Sequence, residues 1–103
     1  MRERRRAERI RLGSFAVRLP GICEGALIDL SVLGARLRLP FAQVADNNLR
    51  IAVDFADGTT EFRARVVRSV PQGDAHMVAV EFEDLSMDQI VALSRVIDSQ
   101  LVA

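Results

Sequence analysis

The chain has 103 residues, half of them apolar, and its 14 arginines balance 14 acids with no lysine present. That length fits one domain, and a single cysteine excludes a disulfide scaffold. No apolar run approaches the roughly 18 residues of a membrane span, and no apolar stretch follows the basic start to make a secretory signal, so the expected location is the cytoplasm.

Residues 1–9 carry no apolar periodicity and read as a flexible arm. Six arginines (Arg2, Arg4, Arg5, Arg6, Arg9 and Arg11) stand among the first eleven residues beside Glu3 and Glu8, a net charge of +4. From Ile10 the pattern changes, and Phe15, Val17 and Leu19 alternate with Ala16 and Arg18 as a strand ending at Pro20-Gly21. Residues 22–29 form a second apolar run. Leu33, Ala35, Leu37 and Leu39 alternate with Gly34, Arg36 and Arg38 up to Pro40. A connection over 41–48 has its turn signal at Asp46-Asn47-Asn48. Leu49, Ile51, Val53 and Phe55 make the next strand, and Asp57-Gly58 signals a hairpin. The following strand runs from Thr60 to Val70, with Phe62, Ala64 and Val66 on one face and Glu61, Arg63 and Arg65 on the other. Pro71-Gln72-Gly73-Asp74 reads as a turn. His76, Val78, Val80 and Phe82 then alternate with Met77, Ala79 and Glu81.

The period changes at the end. Ser86 and Gln89 form a capping-box pattern, flanked by Leu85 and Ile90 as a hydrophobic staple. Ile90, Leu93, Ile97 and Leu101 keep helical spacing, so 87–101 reads as an amphipathic helix. Five acids against one arginine give 81–98 a net charge of −4, opposite in sign to the arm. The expected fold is mainly β: a six-stranded antiparallel (split) β-barrel over 10–103, with a C-terminal α-helix covering an open edge or end.

Enzyme chemistry finds little support, and the chain is read as non-enzymatic. A nucleophile needs a base beside it, and there is one cysteine and one histidine. Cys23 lies in an apolar segment and His76 at a strand start, both ordinary structural positions. No histidine–cysteine cluster has metal-ligand spacing, and no glycine-rich phosphate loop is present. No metal or cofactor is expected.

Two features remain. One is the arm, in which an all-arginine composition favours planar forks that grip phosphates and guanine edges and stack on flat rings. The other is Asp29-Leu30-Ser31-Val32-Leu33-Gly34, between two strands. Each alone also reads as ordinary structure, the first a solvated tail and the second a turn whose Asp and Ser bond their own backbone. Together, Arg5-x-x-x-Arg9 and, 19 residues later, Asp29-x-Ser31-x-x-Gly34 resemble the signature of the PilZ domain family, RxxxR followed by [D/N]xSxxG. The resemblance extends over nearly the whole chain, to Val80-Glu81-Phe82 before the terminal helix. Arg2-x-x-x-Arg6 has the same spacing, but Arg9 directly precedes the first strand, which favours the Arg5–Arg9 register.

The resemblance implies a bacterial receptor for the second messenger cyclic di-GMP. Arg5 and Arg9 would contact guanine and phosphate. Asp29 would accept from the guanine N1 and N2 donors and so reject adenine. Ser31 would bond ligand or hold the loop, and Gly34 would let the backbone approach closely. Arg4 and Arg6 would add field strength and phosphate contact; Arg36, read from its position alone just beyond the motif on the polar face of the third strand, would reach the same surface. Ligand would order the arm across the barrel and make a new face for a downstream protein. A PilZ-fold adaptor that binds proteins but no cyclic di-GMP is the alternative. Nucleic acid is not an expected partner, because the strands lack an exposed aromatic platform and the net charge is zero. Membrane insertion is not expected either.

Overall fold

Alternating apolar and polar residues give a strand one face that must be buried, and six such strands in this chain bury theirs against one another. The computed structural model describes residues 10–56 and 58–101, with side chains over 15–56 and 58–99. The strands are β1 (Ile10–Leu19), β2 (Cys23–Leu30), β3 (Gly34–Leu39), β4 (Asn48–Phe55), β5 (Gly58–Gln72) and β6 (Ala75–Glu83), followed by the helix α1 (Met87–Leu101). They form a closed antiparallel barrel in the order β1-β2-β3-β6-β5-β4. The pairs Val17–Val53 and Arg18–Ala52 join β1 to β4 and shut it.

The barrel interior takes the residues that alternation assigns to it, among them Leu37 and Leu39, Ile51 and Val53, Phe62 and Val66, Val78 and Val80. Four phenylalanines form a chain through one end of the core. Phe15 meets Phe55 edge-on at 5.6 Å, Phe55 meets Phe62 at 6.4 Å, and Phe62 stacks on Phe82 at 4.8 Å. Helix α1 starts with the expected capping box. Gln89 N donates to Ser86 Oγ at 3.1 Å and Ser86 N to Gln89 Oε1 at 2.7 Å. The same Gln89 donates through Nε2 to the Glu61 carbonyl at 2.7 Å, which ties the helix to β5. Leu93 and Ile97 then complete the core.

Three local expectations change. Leu33 is 58% exposed rather than on the apolar face, because the chain turns tightly through Ser31–Gly34 before β3 begins. Strand β5 continues past Pro71, which pairs with His76, and the turn narrows to Gly73-Asp74, with Gly73 at φ 63°. Pairing with β4 has ended by Asn48–Arg65, so Pro71 lies where β5 is paired on one side only, a position that tolerates proline. Ile90 stands at the helix rim, 38% exposed, and the buried stripe is narrower than the periodicity suggests.

Candidate functional site

Three strands break their regular pairing at one level of the barrel. The irregularities fall between Arg11 and Phe15 on β1, between Leu27 and Asp29 on β2, and between Val66 and Arg68 on β5. On β2 the extra residue is Ile28, since Leu27 pairs with Leu37 and Asp29 with Arg36. Strict alternation from the buried Leu27 puts Asp29 on the core side, and the bulge turns it to the outer face beside Arg36. On β5 the extra residue is Val67, since Val66 pairs with Val80 and Arg68 with Ala79. That bulge likewise moves Arg68 from the core parity to the outside. One outward row across the sheet therefore reads Asp29, Arg36, Ala79, Arg68 in register.

Asp29 and Arg36 form the fixed point of this row. The Asp29 side chain is 2% exposed and the Arg36 side chain 43%. Arg36 approaches Asp29 Oδ2 through Nε at 2.6 Å and Nη2 at 2.5 Å. Burying a carboxylate this deeply is costly unless it is paired, and Arg36 supplies the pairing. In return, hydrogen bonding and then charge attraction from Asp29 push the Arg36 pKa above its ordinary value. The pair presents a half-exposed cation whose position is set by a buried anion.

Ser31 and Gly34 build the corner next to it. Ser31 is fully buried, and its Oγ accepts from Leu33 N at 3.1 Å and Gly34 N at 3.3 Å. Ser31 N donates to the Gly34 carbonyl at 2.9 Å, which closes the turn. These bonds hold the Ser31–Gly34 loop. Gly34 is needed for close approach, and the close neighbour is β6. A Cβ there would lie 2.1 Å from the Val80 carbonyl oxygen, which no side chain can accept without moving backbone.

Asp29, Ser31, Gly34 and Arg36 come together at this corner. Arg4, Arg5, Arg6 and Arg9, with the arm expected to be flexible, lie outside the described residues. Arg68, which the β5 bulge brings into the same row, was not singled out from the sequence. Its signal was present: a charged residue at core parity directly after Val66-Val67, where alternation fails. A shallow groove of about 290 Å³ opens between Arg36 and Arg68, floored by Met77 and Ala79 and walled by Val70 and Gln72. The other reactive candidates stand apart. Burial pushes the Cys23 thiol up, away from the thiolate, and His76 is half-buried at the start of β6. Among the described residues no group of histidine, cysteine, aspartate or glutamate is arranged to hold a metal ion. No helix among them is long and apolar enough to cross a membrane.

No curated protein matches the sequence significantly. Solved structures do match in fold. The chain is similar to YcgR from Escherichia coli in complex with c-di-GMP, with 22% identity and a TM-score of 0.77 over 94% of this chain and 46% of that one. The c-di-GMP-bound PilZ domain of YcgR alone matches with 23% identity and a TM-score of 0.72, over 94% of this chain and 91% of that one. The MrkH–c-di-GMP complex of K. pneumonia gives 18% identity and a TM-score of 0.81, over 97% and 53% of the two chains. The chain thus spans about half the length of full YcgR and MrkH and nearly all of the isolated domain. Identities this low establish the barrel-and-helix fold. The family is established separately, because the PilZ domain model matches residues 3–99, almost the entire sequence with both motifs inside it. The chain belongs to the PilZ domain family.

Proposed function

We propose that this chain is a non-enzymatic, cytoplasmic receptor for cyclic di-GMP. The observation that carries the reading is the outward row in which buried Asp29 holds Arg36, beside the Ser31–Gly34 turn. Guanine offers O6 and N7 acceptors to a guanidinium fork and a flat face for stacking. Arg36 meets the first requirement from the barrel side, and Arg5 and Arg9 act from the arm side, with Arg4 and Arg6 adding positive field. Asp29 exchanges part of its contact with Arg36 for the N1 and N2 donors of guanine, which adenine lacks. The two phosphates offset part of the +4 charge of the segment and order it across the barrel, and the new face engages a downstream protein. The structures of YcgR and MrkH in complex with c-di-GMP, and of the YcgR PilZ domain with c-di-GMP, support the reading.

The test is calorimetric titration with cyclic di-GMP at moderate salt. The wild type is expected to bind saturably at micromolar or tighter affinity, and Arg9→Ala to lose binding while keeping its fold. Arg2→Ala should change little. No heat from a folded wild-type protein would favour the protein-binding adaptor instead. Amide order parameters over residues 2–9 that stay constant on saturation would refute the ordering step.

A further inference from the structure

Arg68 has no role in the motif pair and no hydrogen bond or ion pair among the described residues. It is also a residue that a backbone irregularity has turned outward, because Val67 takes the extra position and moves Arg68 off the core parity. Its register partner is Ala79, whose other partner is Arg36. Arg36 and Arg68 therefore flank a small residue, with backbones about 10 Å apart across two strand spacings. Beneath them lies the groove floored by Met77 and Ala79 and edged by Val70. At about 290 Å³ it is small for a whole dinucleotide and suits a single base.

The chemistry of the groove is that of a purine seat. The Met77 thioether and the Val70 and Ala79 side chains offer an apolar, polarisable floor to a ring face. Two guanidinium groups at the edges offer donors to ring acceptors, and no carboxylate lies among the lining residues to compete. We infer that Arg68 is a ligand-binding residue and that the Met77–Ala79 groove seats the guanine of cyclic di-GMP that lies away from Asp29. This inference rests on the receptor reading and extends its site from the β2–β3 corner to β5.

Calorimetry on the whole chain tests it, comparing wild type with Arg68→Ala, Arg68→Gln, Arg36→Ala and Arg63→Ala. Arg63 serves as the charge control, since it lies on the same strand with only a 3.8 Å contact to Asp84. Both Arg68 variants should weaken cyclic di-GMP binding at least tenfold with unchanged thermal midpoints, and Arg63→Ala should stay within twofold. Methyl resonances of Met77 and Val70 should shift upfield on saturation, as under a ring face. Arg68 variants within twofold of a wild type that Arg36→Ala abolishes would overturn the inference and leave the receptor reading standing. Equal losses from Arg63→Ala and Arg68→Ala, or unmoved Met77 and Val70 methyls, would overturn it as well. A wild type that binds nothing would overturn the receptor reading and this inference with it.

Discussion

Arg65 and Arg68 stand three residues apart on β5, both on the outer face, in opposite circumstances. Arg65 pairs with Glu81 and with Asp46 at 3.1 Å, and Glu83 lies 4.0 Å away. Arg68 has none of these partners among the described residues. The register explains the difference. Arg65 stands opposite Glu81, and Arg68, one bulge further on, stands opposite Ala79. The first row spends its cation on internal structure. The second leaves one cation exposed beside another that a buried carboxylate holds in place. Which arginine is available to a ligand is decided by the residue across the strand, not by the arginine itself.

Mutation can erase the difference between the two rows, and the largest effect is expected at the glycine that sets β3 against β6. Gly34 pairs with Glu81, and Gly34→Ala drives a Cβ into the Val80 carbonyl. The expected loss is about 1–3 kcal/mol or more, since both neighbours are backbone. A thermal melt should show a midpoint lower by about 4 °C or more. Both arginine rows cross the β3–β6 pair, so both should suffer.

Ala79→Glu makes the second row imitate the first. The new carboxylate would meet Arg36 and Arg68 and fill the groove between them. Cyclic di-GMP affinity should fall at least tenfold, about 1.4 kcal/mol, while the melt stays close to that of the wild type. Titration alongside a melt checks both halves. Retained affinity would mean that the ligand never enters this groove.

Removing the carboxylate from the first row should matter less. Glu81→Ala leaves Arg65 with Asp46 and Glu83, all substantially exposed, so the expected cost is below about 1 kcal/mol. Denaturant unfolding with an unchanged m-value is the check.

The smallest effect belongs to an exposed cluster away from both rows. Asp54 accepts from Thr59 Oγ1 at 2.6 Å and from Arg18 at 2.7 Å. The Thr59 hydrogen bond, followed by Arg18, holds its carboxyl below the ordinary value against some desolvation. A carboxylate lowered in the folded state contributes stability above its unfolded pKa of about 3.9, and that contribution disappears as pH falls through the folded value. Asp54→Asn should therefore lie slightly below wild type in stability at neutral pH and converge with it in acid. Paired melts across that window test the sign.

Much of this molecule was legible in order along the chain. The alternation of Ala35, Leu37 and Leu39, and of Phe62, Ala64 and Val66, marked the inward faces because a strand's side chains have a period of two. The Ser86–Gln89 box marked the helix start because its bonds are local. The motif Asp29-x-Ser31-x-x-Gly34 pointed to the corner that the fold assembles. Those features depend on neighbours a few residues apart, and a sequence displays such neighbours directly.

The tertiary structure decided the rest, where the physics depends on which strand lies beside which. The bulges at Ile28 and Val67 exist only relative to a partner strand, and strict alternation would put Asp29 and Arg68 on the core face. The reason for Gly34 lies far along the chain, at the Val80 carbonyl. Asp29 and Arg36 were foreseen as separate contributors, and the β2–β3 register made them one ion pair. Residue types supplied the charges and the apolar faces, while strand register determined which charges were paired within the barrel and which were left exposed.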